Sequence, residues 1–201
     1  MGETIRKRHG RLDLTQREPG PGDLAPEDLR RRLSDANAAY VAAHARTAIP
    51  STPRLGLAVV ACMDCRLTGR LEDALGLRPG DAVVIRVAGN TAAGTDDLTR
   101  SLVIAVVEQK VRTILVVGHT DCALASIEPL AFRERLSERR VSRLALGTQP
   151  LREWFGLCPD VAQNVRDTVA KLRQTPALPR DVRVLGALME VQTGELTWLD
   201  D

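Results

Sequence analysis

Residues 55–66 read LGLAVVACMDCR, and the change inside this stretch from unbroken apolar to polar decides the fold. Leu55–Ala61 has the length of a strand and no polar face, so both of its faces must be covered. Ala82–Val87 (AVVIRV), Thr113–Val117 (TILVV) and Val182–Val191 repeat the pattern, the last ending before Thr193 and Gly194. Between them lie helical segments at Leu67–Leu75 and Asp96–Lys110, a broken stretch over Ser126–Leu146, and Val161–Leu172. Buried strands alternating with helices predict an α/β fold: a central, mostly parallel β-sheet flanked by α-helices.

Ahead of the sheet, Asp23–His44 carries Leu29, Leu33, Ala36 and Tyr40 at helical spacing, which predicts an amphipathic helix. Pro26 suits its first turn, and Pro50 and Pro53 lie beyond its end. Residues 1–20 are polar, mixed in charge, and run into Pro19, Gly20, Pro21 and Gly22. They read as a flexible N-terminal arm that orders only against a partner subunit. Residues 21–201 are then a single α/β domain, a size that buries a substantial core.

Hydrophobic residues make up 44% of the chain, which excludes wholesale disorder. The 28 basic and 26 acidic residues nearly cancel, leaving +2. With two Trp, one Tyr and two Phe to stack on bases, that balance argues against nucleic acid as a partner. No apolar run approaches the ~18 residues of a membrane span. The first sixteen residues, MGETIRKRHGRLDLTQ, lack the apolar centre of a secretory signal, and Arg6 stands where a myristoylation signal needs Ser or Thr. The expected location is cytoplasmic. There Cys62, Cys65, Cys122 and Cys158 stay reduced, which favours metal binding or catalysis over disulfides.

Cys62 lies just past the first apolar strand and His119 just past the third. In parallel sheets, ligands bind at the carboxyl ends of strands, so the two segments are expected to converge. The second segment reads Gly118-His119-Thr120-Asp121-Cys122. Two thiolates and an imidazole suit zinc, and His119 and Cys122 lie three apart in a strand-to-helix turn. A fourth position filled by water makes a catalytic site; one filled by Cys65 makes a structural Cys3His clamp. Cys62-x-x-Cys65 also fits a dithiol redox motif.

Three separated motifs share a pattern: Cys62, Asp64 and Arg66; then Arg86, Ala88, Gly89 and Asn90; then Gly118 to Cys122. Together they resemble the β-class carbonic anhydrases over residues 55–125, with the closing strand and turn at 182–199. The resemblance implies that family's fold and hydration of carbon dioxide to bicarbonate and a proton. It implies one Zn2+ per chain, held by Cys62, His119 and Cys122. Asp64 and Arg66 become the carboxylate–guanidinium dyad, with Arg66 holding Asp64 off the metal. Ala88, Gly89 and Asn90 become the substrate pocket. Released from Arg66, Asp64 would close the site; the family shows both arrangements. It further implies a homodimer or higher homo-oligomer, with residues 1–47 embracing the neighbour.

Cys65 and Ala123 depart from the family pattern, standing where serine and glycine are common. Cys65 reads as an isostere, and the Ala123 methyl as a group that narrows the pocket. Cys158, before Pro159, reads as a thiol without function. His9 and His44 are the candidate proton shuttles, although solvated positions suit both. A hydrolase of carbon disulfide or carbonyl sulfide, and a non-catalytic zinc scaffold with Cys65 as fourth ligand, are the alternatives.

Overall fold

The computed structural model describes residues 24–44, 48–92, 96–156 and 159–199. The expected N-terminal arm with His9, and Cys158, lie outside the described residues. The chain divides into two units, Met1–Ala48 and Ile49–Asp201. In the first, Pro26–Ala43 forms α1, with Pro26 in its opening turn as expected.

The second unit is built on a five-stranded sheet. Its strands are β1 (Leu57–Cys62), β2 (Ala82–Val87), β3 (Thr113–His119), β4 (Arg183–Met189) and β5 (Leu196–Trp198), in the order β2-β1-β3-β4-β5. The β1–β2, β1–β3 and β3–β4 pairings are parallel, and β5 returns antiparallel to β4. The α/β fold with a mostly parallel sheet is therefore as the apolar runs predict. The run expected to continue to Val191 instead ends at Met189. A turn through Gly194, at φ +83°, then sends three residues back as β5. Three residues are too few for periodicity to reveal.

Alternation along β1 sorts the core into two layers. Ala58 and Val60 join Ile114 and Val116 on one face, beneath α3 (Asp96–Val107) and α6 (Val161–Gln174). Val59 and Ala61 join Leu115 and Val117 on the other, where Leu67, Leu71 and Met189 cover them. The helix expected over Leu67–Leu75 is shorter. A 3-10 turn at Cys65–Leu67 is cut by Gly69, at φ +73°, from α2 (Arg70–Ala74). The broken stretch resolves into α4 (Pro129–Glu138) and a 3-10 turn at Arg143–Leu146. The five-residue α5 (Leu151–Phe155) escapes periodicity for the same reason as β5.

The helix α6 starts cleanly because the Asp160 carboxylate accepts hydrogen bonds from the Ala162 and Gln163 amides, at 2.9 and 3.0 Å. It then lies directly on the sheet at two glycines. A Cβ on Gly118 would sit 2.5 Å from Val165 Cγ2, and one on Gly186 would sit 3.0 Å from Val165 Cγ1. Gly118 immediately precedes His119, so this close approach fixes the depth at which β3 delivers that imidazole. Gly118→Ala forces Val165 or the helix to move, an overpacking expected to cost about 1–3 kcal/mol. Urea unfolding of the variant against wild type measures it as a lowered midpoint.

Candidate metal centre

β1 ends on Cys62 and β3 ends on His119, neighbouring parallel strands with their carboxyl ends on one side. After His119 the chain doubles back through Asp121, held at φ +52°, a left-handed conformation that Asp tolerates better than most residues. The reversal returns Cys122 to the other two. Cys62 Sγ and Cys122 Sγ lie 4.0 Å apart. The three donor atoms fall within 4.8 Å of one another, and all three residues are buried. Metal–thiolate bonds of about 2.3 Å in tetrahedral array place two sulfurs ~3.8 Å apart, so the pair is already spaced for a metal.

His119 adds the second sign of a metal site. Its Nδ1 lies 2.8 Å from the Thr120 carbonyl, which can only accept, so Nδ1 carries the proton. That leaves Nε2 buried with no hydrogen-bond partner among the described residues. Orphaned buried polar atoms are rare in native proteins, and a cation is the natural occupant. Thr120 is itself pinned. Its amide donates to the Met189 carbonyl at 2.9 Å, its hydroxyl donates to Glu190 at 3.2 Å, and the same oxygen accepts from the Val191 amide at 3.0 Å. Glu190 in turn accepts from the Gln192 and Thr193 amides, at 2.8 and 2.5 Å. The turn between β4 and β5 thus orients the imidazole, a link that sequence reasoning missed.

The thiols are electrostatically coupled. The hydrogen bond from Cys122 stabilises a Cys62 thiolate and pushes the Cys62 pKa down. The same contact, with burial, pushes Cys122 up. Burial on its own would depress His119, but the neighbouring Cys62 thiolate carries it upward. Without a cation, the contact favours ionisation of Cys62 and disfavours that of Cys122. A divalent ion reverses that balance, because bound thiols ionise.

Asp64 and Arg66 meet as the motif implies. Asp64 Oδ1 accepts from Arg66 Nε at 3.0 Å and Oδ2 from Arg66 Nη2 at 2.8 Å, with the Arg66 amide also donating to Oδ1 at 2.9 Å. Such a fork grips a carboxylate more firmly than a single ion pair. Asp64 Oδ2 stands 3.9 Å from His119 Nε2, beside the place a metal would take, with both carboxylate oxygens engaged by Arg66. The Arg66 guanidinium is the main reason that the Asp64 carboxyl is lowered to about 2.

Arg86 closes the loop behind Cys62, donating to the carbonyls of Cys62 at 3.3 Å and Leu67 at 3.2 Å and pairing with Glu72 at 2.7 Å. Beyond it, a narrow cleft is lined by Gly89, Asn90, Cys122, Leu124, Ala125 and Asn164, among others. Asn90 is buried, and its Nδ2 has no partner among the described residues. Gly89 is needed twice over: φ is +64°, and a Cβ there would strike Leu124 Cδ2 at 2.7 Å. The Asn164 amide donates to the Gly89 carbonyl at 2.7 Å and ties the cleft to α6.

Three expected residues fall elsewhere. Ala88 is exposed and does not line the cleft. Ala123 is exposed too, and Leu124 and Ala125 narrow the space instead. Cys65 is exposed and stands outside the converging donors. His44 closes α1 with its ring stacked on Tyr40, centroids 4.0 Å apart. Asp121, Glu190 and Asn164 are additions; Asp121 alone lay within a motif the sequence had singled out.

Fold and site together define an α/β protein with a Cys-His-Cys cluster that could hold a metal at the carboxyl ends of two parallel strands, and a clamped carboxylate beside it. Comparison with known proteins reaches the same class. The carbonic anhydrase family profile matches residues 57–196. β-Carbonic anhydrase 1 of Mycobacterium tuberculosis is 30% identical over 148 residues, spanning 74% of this chain and 84% of that protein. The β-carbonic anhydrase isoform I of Trichomonas vaginalis superposes with a TM-score of 0.80 at 26% identity, covering 89% and 99% of the two chains. A carbon disulfide hydrolase of Acidithiobacillus thiooxidans is 31% identical over 161 residues, spanning 74% and 78%. The chain belongs to the β-class carbonic anhydrase family.

The lowered pKa has a direction in pH. Asp64 is more acidic folded than unfolded, so its contribution to stability is complete above the ordinary value of 3.8 and is lost as pH falls towards 2. An NMR titration of the Asp64 carboxylate carbon in the metal-free chain is expected to show a midpoint near 2. In Arg66→Gln that midpoint moves up towards the ordinary carboxylate value.

Proposed function

We propose that this chain is a zinc-dependent carbonic anhydrase, hydrating carbon dioxide reversibly to bicarbonate and a proton. The observation that carries the reading is the buried cluster of Cys62, His119 and Cys122, whose orphaned His119 Nε2 lies beside an Asp64 held off by Arg66. Those three residues would hold one zinc ion. When bound, zinc acts as a Lewis acid that lowers the pKa of water from ~15.7 toward ~7 and so supplies the nucleophile at neutral pH.

The chain's own residues do the rest. Asp64 Oδ2 faces the His119 side of the cluster and accepts a hydrogen bond from the nucleophilic water, turning its attacking lone pair toward the cleft. Being ionised at every physiological pH, Asp64 serves as acceptor only. Asn90 Nδ2, buried and without a protein partner, donates to a substrate oxygen. Leu124 and Ala125 add apolar contacts to a cleft also lined by Asn90 and Asn164. Two thiolates donate more charge than two imidazoles would, so activity is expected to rise toward alkaline pH.

The similarity to a carbon disulfide hydrolase supports a second reading in which the substrate is a sulfur-containing cumulene. A zinc scaffold with Cys65 as fourth ligand is disfavoured by the exposure of that thiol. The test is zinc stoichiometry measured with stopped-flow hydration of carbon dioxide, on wild type and Cys65→Ser. One zinc per chain and rapid, zinc-dependent hydration in both is the expected result. Hydration no faster than in the zinc-stripped chain rejects the proposal, and faster turnover of carbon disulfide selects the second reading.

The proposal extends to a cytoplasmic homodimer or higher assembly, in keeping with the family resemblance. Light scattering at micromolar concentration is expected to give at least twice the 21.9 kDa chain mass.

A further inference from the structure

Arg66 is held from two sides. One edge of its guanidinium, Nε and Nη2, grips Asp64. The other donates from Nη1 to the Asp121 carboxylate at 2.6 Å and from Nη2 to the Asp121 carbonyl at 2.7 Å. The two acids draw on different hydrogens, so they do not compete for the same donors. Asp121 stands in the turn between His119 and Cys122, and its φ of +52° aims both its carboxylate and its carbonyl at Arg66. The Asp121 side chain is 77% exposed, so solvent screens its charge and the contact contributes little to folding. Its effect is on orientation: a long, flexible arginine is fixed by contacts on both edges of a planar fork.

We propose that Asp121 is a positioning residue that clamps Arg66 from behind, so that Arg66 keeps Asp64 turned away from the metal and the fourth coordination position stays open. The inference rests on the reading of Cys62, His119 and Cys122 as a metal centre. Asp64 Oδ2 already lies 3.9 Å from His119 Nε2, so a small rotation separates the held carboxylate from one that binds the metal. With the clamp removed, Arg66 is tethered on that side by the Asp121 carbonyl alone, and Asp64 spends more time closing the site.

Asp121→Gly and Asp121→Asn test this without straining the turn, since both residues accept a left-handed backbone. Glycine removes the acceptor; asparagine keeps an oxygen for Arg66 Nη1 while removing the charge. The cobalt(II)-loaded chain is titrated with azide and followed by visible absorption. Asp121→Gly is expected to weaken azide binding by about threefold or more, with an unchanged Tm, because Asp64 occupies the position azide needs. Asp121→Asn is expected to stay near wild type. Azide binding in the glycine variant as tight as wild type, or tighter, overturns the proposal, and so does an equal loss in both variants. A chain that holds no cobalt rejects the metal-centre reading on its own. The clamp is then judged in the metal-free chain by solvent exchange of the Arg66 Nε proton, seen by NMR. Faster exchange in Asp121→Gly but not in Asp121→Asn supports it, and unchanged exchange overturns it.

Discussion

Two sulfurs stand 4.0 Å apart in a buried pocket, and much else in this structure follows from that constraint. A second negative charge is forbidden there until a cation arrives, because solvent is excluded and like charges repel. The adjacent imidazole is denied a hydrogen bond on the nitrogen that faces the same space. Leaving a polar atom so placed is costly, and the fold supports it with a chain of bonds through Thr120 and Glu190 that is satisfied at every other step. Composition and wiring alike leave the site able to accept a cation.

The sheet supplies the wiring. Parallel pairing of β1 with β3 sets Cys62 and His119 at neighbouring strand ends, and one left-handed residue brings Cys122 back to them. Asp64 and Arg66 need only the 3-10 turn that follows β1, because Asp64 caps that turn by accepting the Arg66 amide. The cleft depends on longer reach. Asn164, 75 residues beyond Gly89, ties the carbonyl of that glycine to α6. Metal site and cleft therefore lean on the same helix from different directions.

Much of this was legible in the residues themselves. Long apolar strands without a polar face declared the parallel sheet, and β2 runs over Ala82–Val87, as its apolar run does. The ligand types stood at strand ends, where chemistry sits in such folds. What stayed hidden was short or distant. β5 and α5 have three and five residues, too few for any period to register. The exposure of Ala88 and Ala123 depends on which way a tight turn faces, and neighbouring residues in a 3-10 turn point to different sides. Leu124, one residue on, took the place expected of Ala123. Glu190 and Asn164 act across the fold, and a lone polar residue in a helix or turn gives no sign of its distant partner.

The contact between Gly118 and Val165 has a consequence for how this chain can drift over evolutionary time. The bare α-carbon on the strand and the branched side chain on the helix fit as a hole fits a bump. Enlarging one calls for the other to shrink, so substitutions at the two positions are physically coupled. A lineage that swapped them would keep its imidazole at the same depth while exchanging which element carries the bulk.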